Sequence, residues 1–240
     1  MSGPIVAIHQ PQYLPTLRYF AKAAACDIFV YLDTVQFQRR GYQNRNMVKT
    51  PHGARMLTVP VKANRDTLIA EVEIDGDGWI DKHVTTLAHS YGKAPHYGWL
   101  RDEFVPVLSS GFSKLADLNI ATTDSAFKAF GLNCRQVRAS SLGVQGAKED
   151  LIVGICKALG AGVYFSGEGA RAYQDPATFA AAGIELRYQQ FAHPTYPQLH
   201  KEQGFLPDMA AIDLLVNAGS QAGEVLRSAT AAPPEAGQET

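Results

Sequence analysis

The residues best suited to chemistry stand where predicted strands end. An apolar, β-branched run from Pro4 to His9 breaks at His9-Gln10-Pro11-Gln12-Tyr13-Leu14-Pro15. A histidine there can contact a phosphate or carboxylate, or act as acid or base, since its ordinary pKa is about 6.5. It can equally serve to tie down the prolines that follow. Gln10, Gln12 and Tyr13 extend the same loop with hydrogen-bonding groups. A second run, Asp27 to Asp33, ends on a carboxylate that could orient His9, bind an amine or cap a turn. Gln36 follows, and then the block RRGYQNRN, which holds Arg40, Asn44, Arg45 and Asn46. Arginines mixed with asparagines suit a small anionic or sugar-like ligand better than a duplex.

Further along, Ser166-Gly167-Glu168-Gly169-Ala170-Arg171 follows another strand-like run. Two glycines let backbone N–H groups approach an anion, with Arg171 as a bidentate partner. An ordinary tight turn has the same composition, and the Lys-Ser/Thr ending of a phosphate loop is missing. Lys148 opens a predicted helix, from which it could stabilise charge developing on a phosphoryl or acyl oxygen; a solvated surface lysine is the alternative. The last strand leads to His193 and Tyr196. The Ser-Ser and Thr-Thr pairs and Cys156 show no nucleophile-plus-base pattern, so a Ser or Cys hydrolase is not inferred.

The elements that must position these residues alternate. Strand, helix (TLRYFAKAAAC) and strand within the first thirty-odd residues form a βαβ unit. From about residue 40 to 131 the pattern changes. ARMLTVPVKAN and TLIAEVEID read as a β pair, and aromatic and aliphatic residues then recur at helical spacing up to Gly131, a C-cap. Tyr91, Tyr97, Trp99 and Phe104 in this stretch suit a core, or alternatively a partner or homo-oligomer surface. Alternation resumes with strands at CRQVRASS, GVYFSG and IELRYQQF, a helix at AKEDLIVGICKALGA, one started by Asp175-Pro176, and a closing helix at DMAAIDLLVNAG. The expectation is one α/β domain over residues 1–228: a mostly parallel sheet of about five strands flanked by helices, with a β/helical insertion. Residues 229–240 are expected to be a disordered tail. In such open sheets a ligand sits outside the carboxyl ends of the strands.

Bulk properties narrow the function. With 22 basic and 23 acidic residues the net charge is −1, which offers no footprint for duplex nucleic acid. The three cysteines are scattered, with no metal-ligand spacing, so no metal site is expected and a reducing compartment is. No signal-like or membrane-spanning stretch is apparent, and the protein is expected to be cytoplasmic, with no membrane partner.

In order along the chain, HQPQYLP, LDTVQF, QNRN, LTVPV, GAKEDLIVGICKALGA, YFSGEGARAY, AGIELRYQQFAHPTYPQ and IDLLVNAG resemble the WbqC-like protein family over nearly Pro4 to Gly219. The resemblance implies a setting in bacterial surface-polysaccharide or related biosynthesis, with a glycyl (aminoacyl) transferase role suggested for a member; it brings no catalytic residues. The first βαβ unit is also similar in layout to nucleotidyl-transferring enzymes of the pantothenate synthetase type, which implies a Rossmann-like fold of the HUP type. Their His-x-Gly-His signature is replaced here by His9-Gln10-Pro11. The expected function is a biosynthetic transferase moving an activated acyl or aminoacyl group, or forming an adenylate, on a sugar nucleotide or small precursor. His9, Asp33 and Lys148 are its candidate catalytic residues, ATP with magnesium or a sugar nucleotide the candidate cofactor, and a small-molecule or carrier-bound substrate the partner. The alternative is a non-catalytic nucleotide-sugar binding or scaffold protein.

Overall fold

The computed structural model describes residues 3–229, so the expected tail lies almost wholly outside the described residues. Strand β1 (Ile5–His9) leads through the proline loop to helix α1 (Leu17–Ala24) and strand β2 (Ile28–Tyr31). A long intervening segment then holds β3 (Arg45–Thr50), β4 (Gly53–Thr58), β5 (Val61–Lys62), β6 (Glu73–Ile74) and α2 (Trp79–Tyr91). It continues with α3 (Tyr97–Trp99), a π-helical turn at Leu100–Phe104, α4 (Val105–Leu108) and α5 (Leu115–Phe130). The chain returns as β7 (Arg135–Arg138), α6 (Lys148–Ala158), β8 (Val163–Ser166), α7 (Pro176–Ala181), β9 (Glu185–Tyr188), α8 (Ile212–Ala218) and α9 (Ala222–Ser228).

Five strands form one sheet in the order β7-β2-β1-β8-β9, and every pairing is parallel. Counted along the chain the order is 3-2-1-4-5, so the direction of winding reverses between β1 and β8. The fold is a Rossmann-like α/β fold. The central strands are apolar throughout because both of their faces are covered. Val6 and Ile8 of β1, with Ile28 and Val30 of β2, pack against Leu151 and Ile155 of α6 and Phe179 of α7. Ala7, Phe29 and Tyr31 point the other way, into a layer built from Leu17 and Phe20 of α1, Phe127 and Phe130 of α5, and Leu214 and Leu226 of α8 and α9.

A separate core joins the intervening segment to the sheet unit. Tyr91, Phe104 and Leu115 pack there with Val48 and Leu57, and with Tyr13 and Leu14 of the proline loop. Tyr97 and Trp99 lean on the same core, so these helical aromatics serve packing.

Two expectations about the elements change. The hairpin pairs β3 with β4, so the partner of GARMLT is the more polar RNMVKT. The expected partner, TLIAEVEID, contributes a 3-10 turn and only the two-residue β6, paired with β5. The helix from Ile212 is also not the last, since α9 follows it. Asp175 does cap α7, its carboxylate accepting from the Ala177 N–H at 3.0 Å. Gly131 ends α5 with φ +66°, a left-handed conformation that a side chain disfavours. Gly131→Ala should therefore lower stability by about 1 kcal/mol, read as a shift in the urea midpoint with unchanged slope.

Candidate functional site

The β1–β8 ladder ends at the Ala7–Phe165 pair, and beyond it the strands diverge into different loops. A cleft of about 1390 Å³ opens there, outside the carboxyl ends of both strands and at the reversal of strand order. One wall is the loop after β1, with His9, Gln10 and Gln12; another is the turn after β8, with Ser166, Gly167 and Gly169; a third is the start of α6, with Lys148. Arg18, Tyr19 and Lys22 of α1 complete it.

His9 lies on the α1 side of the sheet, its ring edge-on to Tyr19 at 4.7 Å. Its Nδ1 lies 3.1 Å from the Gln10 carbonyl oxygen; as the donor, it leaves the Nε2 lone pair as the acceptor. Burial, and then the adjacent Lys22 charge, push its pKa down to about 3, so the imidazole is neutral at physiological pH. Lys22 is 3 % exposed, and its Nζ donates to the Ile8 carbonyl at 2.7 Å. Burial lowers its pKa to about 8, because desolvation disfavours the ammonium form. This residue was not among those singled out from the sequence. The available signal was a lone charge inside the otherwise apolar FAKAAAC stretch of a helix that must cover a sheet.

Ser166 is buried at the cleft and donates to the Gln174 side chain at 2.9 Å. Gly167 and Gly169 both avoid the left-handed φ range and have open space where a Cβ would stand, so they leave room rather than satisfy a backbone need. Lys148 is exposed on the rim and adopts φ +51°, two residues after Gly146 at φ +135°. Tyr42 and Tyr173, two of the three most exposed large hydrophobic side chains among the described residues, also border the cleft.

The other candidates lie elsewhere, most of them held by a partner. The Asp33 carboxylate is wholly buried and faces Ser140, accepting from its N–H at 2.9 Å and its hydroxyl at 2.7 Å, so it does not orient His9. Tyr13 is in the core, hydrogen-bonded to His83 at 2.8 Å. Asn46 donates to the Leu14 carbonyl at 2.8 Å, Asn44 to Val59 at 2.9 Å and Arg45 to the Arg40 carbonyl at 2.5 Å. Gln36 and Arg40 are exposed away from the cleft. Arg171 binds Glu168 at 2.6 and 3.0 Å and lies over the Tyr188 ring at 4.2 Å, so it turns away from the expected anion cradle. His193 accepts from the Asp208 N–H at 3.1 Å, and the Tyr196 hydroxyl donates to buried Asp213 at 2.9 Å.

Two measurements check these assignments. Asp33→Ala should cost about 2–3 kcal/mol of unfolding free energy, because the Ser140 donors lose their acceptor. For His9, a folded pKa of about 3 lies below the ordinary 6.5, so the unfolded chain binds the extra proton between those values. Its contribution is complete above about pH 6.5 and is lost as pH falls toward 3. Urea midpoints of His9→Asn should therefore decline less steeply than wild type over that window.

Residues 10–225 match the model of the WbqC-like protein family. The uncharacterized protein Rv1507c of Mycobacterium tuberculosis (strain ATCC 25618 / H37Rv) is 31 % identical over 226 residues, covering 92 % of this chain and 97 % of that protein. No solved structure matches the chain. With a family match running from the residue after His9 into α9, this chain belongs to the WbqC-like protein family.

Proposed function

We propose that this protein is a biosynthetic transferase that joins an activated acyl or aminoacyl group to an amine on a sugar nucleotide or small precursor. The observation that carries the reading is the cleft between β1 and β8. Its position is where open α/β sheets bind ligands, and its volume accommodates something larger than a single metabolite ring. Membership of the WbqC-like family agrees with a biosynthetic setting, and no helix among the described residues is long and apolar enough to cross a membrane.

In this reading the acceptor amine arrives as the free base and donates a hydrogen bond to the neutral His9 ring. The amine nitrogen attacks the activated carbonyl carbon, the bond to the leaving group breaks, and the amine proton passes to solvent through the open cleft mouth. The donor is an acyl adenylate made from ATP with magnesium, or an acyl group on a carrier. A pKa of about 3 makes His9 a weak proton acceptor, which favours binding and alignment over base catalysis. The same fact favours a second reading, a nucleotide-sugar binding protein without turnover.

A thermal-shift panel of ATP, CTP and UDP-, GDP- and dTDP-sugars with their amino forms, each with and without magnesium, tests the site. A ligand at a hundred times its Kd adds roughly 2.7 kcal/mol, a shift of a few degrees for a chain of this size. Stabilisation by an amino sugar nucleotide, followed by an acylated product in mass spectra, is the expected result. Stabilisation without product under any donor supports the binding protein, and silence across the panel overturns the nucleotide-linked reading.

A further inference from the structure

Lys22 is one of two lysines buried almost completely, and the two are treated very differently by their surroundings. Lys49 donates to the Gln198 side chain at 3.1 Å and to the Gly204 carbonyl at 2.6 Å. Gln198 in turn donates to the buried Asp213 carboxylate, whose charge partly offsets the burial of Lys49. Lys22 has a single acceptor, the Ile8 carbonyl, and no carboxylate among the described residues lies within ion-pair distance of it. Two of its three N–H donors have no partner among the described residues. The titratable groups that couple to it, His9 and Cys26, carry no negative charge that would offset it: His9 is neutral, and the Cys26 thiol is held protonated, chiefly by its hydrogen bond to Cys134 and by burial. A buried ammonium left in this state is costly unless something else completes it.

The place where it is incomplete is the floor of the cleft. The acidic side chains on the walls are engaged elsewhere or turned to solvent. Glu149 accepts from the Asp175 N–H at 2.6 Å, Glu168 binds Arg171, and Asp150 and Asp208 are exposed on the rim. Across the cleft, α6 presents its first turn, whose N–H groups lack acceptors within the helix and favour negative charge. Gly167 and Gly169 leave the intervening space free of side chains.

We propose that Lys22 is the seat of a phosphoryl group of the ligand, bound on the cleft floor between β1 and the start of α6. The proposal rests on the transferase reading only for the identity of the molecule that carries the phosphate. Bound there, the phosphate takes the two free donors of Lys22 and supplies the missing counter-charge. It also places the rest of the molecule between Tyr42 and Tyr173 at the mouth.

Inorganic pyrophosphate is the probe, with affinity read by isothermal calorimetry and folding by thermal unfolding, in wild type and Lys22→Met. Methionine keeps the length of the side chain; removing the uncompensated charge offsets the loss of the Ile8 carbonyl's donor, so the unliganded variant should melt within a few degrees of wild type while its pyrophosphate Kd rises at least tenfold. If Lys22→Met does not fold, Lys22→Gln, which retains a donor for the Ile8 carbonyl, is expected to show the same loss of affinity. Binding by either variant within twofold of wild type, or no pyrophosphate binding by wild type, overturns the assignment. These outcomes are separate from those of the transferase reading. That reading falls if no acylated product forms even though the Lys22 effect is present. The Lys22 assignment falls if variants keep pyrophosphate affinity while wild type still turns over.

Discussion

The Ile8 carbonyl stands at the point where β1 loses β8 as a neighbour, and a lysine from α1 is what bonds to it. Much else in the cleft follows from that contact. The helix must cross the sheet closely enough for residue 22 to reach the strand end, which sets Tyr19 edge-on to His9. The ammonium beside His9 then adds to burial in keeping the imidazole neutral. A parallel sheet makes such a place unavoidable: its strands all end on one edge, and where the winding reverses two adjacent loops leave in opposite directions.

The proline loop that carries His9 is held from the far side by the segment between β2 and β7. Gln43 donates to the Gln10 side chain at 2.7 Å, the Tyr13 N–H donates to the Tyr42 carbonyl at 3.0 Å, and Asn46 binds the carbonyl of Leu14. Leu14 has φ +47°, a conformation costly for a leucine, and it persists because its side chain is buried in the core and Asn46 grips its carbonyl. The intervening segment thus acts first as scaffold for the loop. Tyr42 is its direct contribution to the cleft, beyond Leu32 and Val35 at its entry.

This division explains which parts could be read in the sequence. Apolar β-branched runs, the Asp175-Pro176 start and the Gly131 stop act locally, so β1, β2, α7 and the end of α5 were legible. The strand RNMVKT was not, because its partner decides its state: Val48 is buried by α2 and the Tyr91 ring, whose hydroxyl accepts from the Lys49 N–H at 3.1 Å. Polar residues were harder still. The block QNRN has the composition of a ligand surface, and its side chains bind the protein itself instead, Gln43 the Gln10 side chain and the other three main-chain carbonyls. Asp33 shows the same limit, since its partner Ser140 is more than a hundred residues away. Residue type tells which bonds a side chain can make, and only the fold tells which of them are already made.

Lys22 and Lys49 turn that limit into a criterion. Both are buried cations, and burial alone marks neither as functional, because a buried charge with acceptors and a counter-charge inside the protein is a structural element. Lys49 is such an element, linked through Gln198 to Asp213. Lys22 breaks the rule of local satisfaction at the one place where the topology also leaves space, and disagreement between a residue and its surroundings is expected where a binding partner has been left out of the count. The stronger sign of a site is therefore the lysine with two bonds unmade, rather than the histidine in the conspicuous motif. His9 adjoins that position, and its neutrality is in part a consequence of it.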